Sequence, residues 1–111
     1  MTSIFGLYGI TSIDINAAAR ILQDALNMPF ESYESSFWGG YYVTRDEQRG
    51  ETISLKENFN QAEQEWNWPA FEQYPLTLEV SLRDSTVERS QEIEAQLMQI
   101  PNLPITFLQR S

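Results

Sequence analysis

Apolar residues follow two rhythms along this chain. From Ser3 to Ile10 they occupy both alternating sets (Ile4, Phe5, Leu7, Tyr8, Ile10), as a strand inside a sheet requires, with Gly6 and Gly9 marking a close approach or a bend. The period then turns helical. Ala18, Ile21, Leu22, Ala25 and Leu26 make one stripe at i, i+3, i+4, i+7 and i+8, behind Asp14 as N-cap and ahead of Asn27 and Pro29 as a stop. From Phe30 to Phe59 the rhythm returns to two: Tyr33 with Phe37, Tyr41 with Val43, Ile53 with Leu55, separated by Gly39-Gly40 and by Asp46 to Gly50. This predicts two or three antiparallel strands.

The sharpest alternation is Leu76, Leu78, Val80 and Leu82 facing in against Thr77, Glu79, Ser81 and Arg83 facing out, so one face of that strand is expected to be buried and the other wet. A second helix is predicted from Ser85, where Ser85-Thr86-Val87-Glu88 has the form of a capping box. Its inner stripe is Ser90, Ile93, Leu97 and Ile100, and Pro101 ends it. Ile105 to Leu108 reads as a closing strand. The expected fold is a single α+β domain over 1–111, with the order β-α-β-β-(β)-α-β: a four- to five-stranded, mostly antiparallel sheet with two amphipathic helices on one face, as in a ferredoxin-like split βαβ arrangement. Asn58 to Pro75 stands out as a long loop, and loops beyond about 12 to 15 residues are often functional.

Composition narrows the chemistry. The 111 residues include no His and no Cys, which removes the commonest general base, the commonest transition-metal ligands, disulfides and the Ser-His and Cys-His nucleophile pairs. Gly6-Leu7-Tyr8-Gly9 and Trp38-Gly39-Gly40-Tyr41 match neither a phosphate loop nor a dinucleotide fingerprint and are read as bends. Of the carboxylate pairs, Glu92 and Glu94 lie two apart on a predicted helix and diverge, and Glu63 with Glu65 lacks a second oxygen-rich cluster to complete a metal cage. No catalytic residue, cofactor or metal site is expected. The opening Met1 to Gly6 lacks the basic and apolar regions of a signal peptide, and no stretch approaches the roughly 18 apolar residues of a membrane span. A cytoplasmic protein is the expectation.

Charge points toward a partner. Seven bases against sixteen acids leave a net charge of −9, which disfavours direct contact with nucleic acid or anionic lipid and favours a basic protein. Between Lys56 and Arg83 the acids Glu57, Glu63, Glu65, Glu72 and Glu79 meet no base, and Phe59, Trp66, Trp68, Phe71 and Tyr74 share the segment. Charge steers encounter, and Trp and Tyr anchor interfaces. The candidate partner-binding set is therefore Glu57, Glu63, Glu65, Trp66, Trp68 and Glu72, with Trp38 and Tyr42 from the second aromatic cluster, Phe37 to Tyr42. Extended alternation predicts Trp66 and Trp68 jointly exposed or jointly buried. The plainer reading is a loop packed over the sheet by its own aromatics.

Glu31-Ser32-Tyr33-Glu34-Ser35-Ser36-Phe37-Trp38-Gly39-Gly40-Tyr41-Tyr42, with the acidic stretch that follows to Tyr74-Pro75, resembles small acidic bacterial immunity proteins of the polymorphic and contact-dependent growth inhibition toxin systems. The resemblance implies a cytoplasmic inhibitor that binds its cognate toxin domain, often a nuclease. Other expectations stand beside it: a phage-type inhibitor or nucleic-acid mimic; a small enzyme or ligand-binding domain with a pocket beneath Trp66 and Trp68; and a homodimer formed through an open sheet edge.

Overall fold

A computed structural model describes residues 3–11, 14–35, 39–61 and 63–111. Its centre is β1 (Ile4–Ile10), flanked by β7 (Leu76–Leu82) and β8 (Ile105–Arg110). Beyond β7 come β4 (Glu51–Glu57), β3 (Gly39–Asp46) and the edge strand β2 (Glu31–Ser35), giving the order β2-β3-β4-β7-β1-β8 with every pairing antiparallel. The sheet thus has six strands where four to five were expected. Phe30 to Phe59 supplies three of them, β2, β3 and β4, and Gly39 and Gly40 do not separate strands but open β3, opposite Ser35 and Glu34. Gly40 has open space where a side chain would stand.

Helix α1 (Ile15–Leu26) and helix α2 (Val87–Met98) touch one another and share one face of the sheet. Ala18, Leu22 and Leu26 of α1 and Ile93 and Leu97 of α2 close over Tyr8, Ile53, Leu55, Leu78, Val80 and Leu82 in a single core. Ile21 is only partly buried and Ala25 is exposed, so the buried stripe of α1 runs through Ala19 instead. The Asp14 carboxylate accepts from the N–H groups of Asn16 and Ala17 at 3.0 and 3.1 Å, and Asn27 closes the helix at φ 53°. In α2 the N-cap is Thr86, one residue later than the predicted Ser85: its hydroxyl accepts from Arg89 N–H at 3.2 Å, so the capping-box pairing does not form. Neither helix is long and apolar enough to cross a membrane.

Two arginines, half-buried Arg89 and exposed Arg110, tie α2 to the strand ends. Arg89 of α2 grips Glu51 through two hydrogen bonds of 2.6 and 2.8 Å, and Glu51, although charged, is only 6% exposed. Burial of that carboxylate is tolerated because both its oxygens are occupied. Arg110 of β8 pairs with Glu94, while Glu92 pairs with Arg89, so the two helical acids do diverge.

Candidate functional site

The long segment after β4 is built, not irregular. It begins with β5 (Phe59–Asn60) and β6 (Glu65–Trp66), which form a two-stranded ladder, continues through a 3-10 turn at Pro69–Phe71, and returns to the sheet at Leu76. It folds over the sheet face opposite the helices. There the Trp68 ring stacks on Phe5 with centroids 5.9 Å apart, and the Tyr74 ring lies on the backbone of Gly9. Thr77, predicted to face water, is fully buried beside this contact, and Leu7 is fully buried on the same face.

One side chain fastens the excursion. Asn58, fully buried, donates from Nδ2 to the carbonyls of Phe71 (2.9 Å) and Tyr74 (3.1 Å) and accepts from the Trp68 N–H at 2.9 Å. Its own backbone carbonyl accepts from Asn67 N–H at 2.7 Å, and its N–H donates to Pro75 at 2.8 Å. Five hydrogen bonds thus pass through one buried residue and pin the polar backbone of the excursion at both ends, while the buried Thr77 hydroxyl beside it is left without a partner among the described residues. Sequence reasoning missed Asn58, because in Asn58-Phe59-Asn60 it looks like any surface asparagine.

The acids fall into two groups. Glu57, Glu63, Glu65 and Glu72 are exposed and form no ion pair among the described residues. Glu79 belongs with none of them: it lies half-buried, 3.7 Å from Lys56, and takes the Trp68 indole N–H at 3.4 Å. The stretch is base-free in sequence, yet β4 and β7 are neighbours, and their register sets Lys56 beside Thr77, two residues from Ser54, the partner of Glu79.

Trp66 and Trp68 are both half-buried, neither jointly exposed nor jointly buried, because the strand ends at Trp66 and Trp68 opens the 3-10 turn; Trp66 meets Phe59 edge-on at 5.1 Å, and Trp68 covers Phe5. The loop packed over the sheet is thus the arrangement observed, and the space beneath Trp68 is filled by Phe5. Tyr42 does not join this face. It lies on the helix side against the core, its hydroxyl donating to Asn16 of α1. Phe37 and Trp38 lie outside the described residues. On the uncovered half of the open face Tyr33 and Tyr41 stack at 5.6 Å, with Tyr33 38% exposed. Among the described residues no group of three or more acids could hold a metal ion. No protein-family model matches the chain, and no curated protein matches it.

Proposed function

We propose that this chain is a non-enzymatic binding protein for a basic protein partner, an immunity protein that neutralises a cognate bacterial toxin domain, with a nuclease the first candidate for the toxin. The observation that carries the reading is the excursion itself: four exposed carboxylates, Glu57 where it leaves β4 and Glu63, Glu65 and Glu72 along it, form no ion pair among the described residues, and its backbone is pinned by Asn58, Trp68 and Tyr74. A fixed acidic surface loses little order on binding and accelerates encounter with a positive cleft. With this reading go a cytoplasmic location, no cofactor and no direct contact with nucleic acid. The six-stranded sheet fits it as a ferredoxin-like split βαβ core, β8-β1-β7-β4 with α1 and α2, widened by the β2–β3 hairpin.

The test uses the purified chain as bait in extract of its native source at low and moderate salt, beside the triple reversal Glu63→Lys, Glu65→Lys and Glu72→Lys. A single basic protein with a toxin-like domain should be retained by the wild type, and the triple variant should associate with it about tenfold more slowly or worse, with unchanged thermal unfolding. Equal association rates and equal salt dependence would remove this face from the account. A gene position inside a prophage instead of beside a toxin gene would turn the reading to a phage-type inhibitor or nucleic-acid mimic.

A further inference from the structure

Acids outnumber bases sixteen to seven here, so each cation has a surplus of carboxylates to choose from. Four bases have taken one: Arg49 with Asp46, Lys56 with Glu79, Arg89 with Glu51 and Glu92, Arg110 with Glu94. Arg45 and Arg83 form no ion pair among the described residues, Arg45 hydrogen-bonding the Tyr33 hydroxyl, and both line one open depression of about 890 Å³ at the end of the sheet. It lies at the end of β4 and β7 away from the points where the acidic excursion leaves and rejoins the sheet.

The register explains how the depression is furnished. Arg45 of β3 pairs with Thr52 of β4, Thr52 with Ser81 of β7, and Ser81 with Phe5 of β1, a row of four side chains at one level across four strands. Arg83 follows two residues beyond Ser81 and so comes from the same side of that strand. Three acids also line the space: Glu51 faces the helices and is held by Arg89, and Asp46 lies 3.8 Å from Arg49 in an exposed pair. Glu47, in the turn at the rim, forms no ion pair among the described residues.

We propose that this depression binds a small ligand carrying an oxyanion, a phosphate or a carboxylate group. Arg45 and Arg83 supply the charge, the Thr52 and Ser81 hydroxyls donate to the oxyanion from the floor, and Phe5 receives the apolar part of the ligand. Guanidinium forks match planar and tetrahedral oxyanions with paired hydrogen bonds, and the volume falls within the range of small-molecule sites. The whole-molecule field of −9 opposes any diffuse collection of anions, so occupancy here requires specific contacts.

The experiment follows thermal unfolding and tryptophan fluorescence of the full chain while inorganic phosphate or citrate is added, against sodium chloride at matched ionic strength. Fluorescence reports on the site because Phe5 stacks on Trp68. Either probe should raise the unfolding temperature saturably by several degrees beyond the chloride control. Arg45→Gln and Arg83→Gln should each weaken that response about tenfold while unfolding like the wild type in chloride. A response to phosphate alone assigns a phosphate ester, and one to citrate alone assigns a carboxylate ligand. Responses no larger than chloride, or variants that titrate like the wild type, would overturn the proposal.

Discussion

At Gly9 the backbone of β1 touches the ring of Tyr74 so closely that a Cβ placed there would stand 2.4 Å from two of its carbons. No side chain fits without lifting the ring, and the ring belongs to the last turn of the excursion. Gly9→Ala is therefore expected to cost about 2 kcal/mol, the usual range for forcing a methyl into filled space. Most of that cost should vanish in a Tyr74→Ala background, where the methyl has room. Urea denaturation of the four members of this cycle measures the coupling directly. Equal costs in both backgrounds would mean that Gly9 is required for some other reason. A glycine inside a strand pattern is legible as a close approach, but what approaches is not, since Tyr74 comes from a distant part of the chain. Thr77 was misread for the same reason: alternation assigns a side chain to a face, and only the tertiary structure says that the face is covered.

The elements with one buried side were the legible ones. The stripe Ser90, Ile93, Leu97 and Ile100 and the alternation from Leu76 to Leu82 each reached the core as read, because periodicity and burial are the same statement for an amphipathic element. The excursion resisted reading because its short ladder and turn are held by Asn58, not by a hydrophobic period. If that amide holds it, Asn58→Ala should leave two carbonyls and one N–H unsatisfied and cost about 3 kcal/mol. The loss should be local. Hydrogen exchange at the amides of Asn67, Trp68, Phe71 and Tyr74 should accelerate sharply while the amides that join β1 to β7 keep most of their protection. Uniform loss of protection across the sheet would show that the excursion and the sheet unfold as one unit, and that the acidic face is no more separable than any core strand.

At the scale of the whole molecule charge and burial can be told apart with alkali. Tyr8 is buried in the core, and desolvation is the main cause that pushes its hydroxyl above the ordinary value of 10.0, with Glu94 acting in the same direction and Arg110 against it. A raised value in the folded state means that the native chain holds this proton more tightly than the unfolded one. The stability it contributes is thus complete below about pH 10 and is lost as pH rises through the folded value, at up to about 1.4 kcal/mol per pH unit for one proton. The net negative charge, −9 at neutral pH, also grows in alkali as tyrosines and the single lysine lose protons, and this self-repulsion destabilises in the same window. Salt separates the two. Mutual repulsion among surface charges is screened within about 3 Å at 1 M ionic strength, whereas the desolvation of one buried hydroxyl is not. Denaturation between pH 8 and 11 should therefore show a slope that 1 M sodium chloride reduces only in part. In Tyr8→Phe most of the remainder should disappear, Tyr33, raised by its hydrogen bond to Glu31, keeping a smaller share, at the cost of whatever the Tyr8 hydroxyl contributes at neutral pH. If salt alone flattened the wild-type curve, the alkaline weakness would belong to the acidic surface, and the core around Tyr8 would have no share in it.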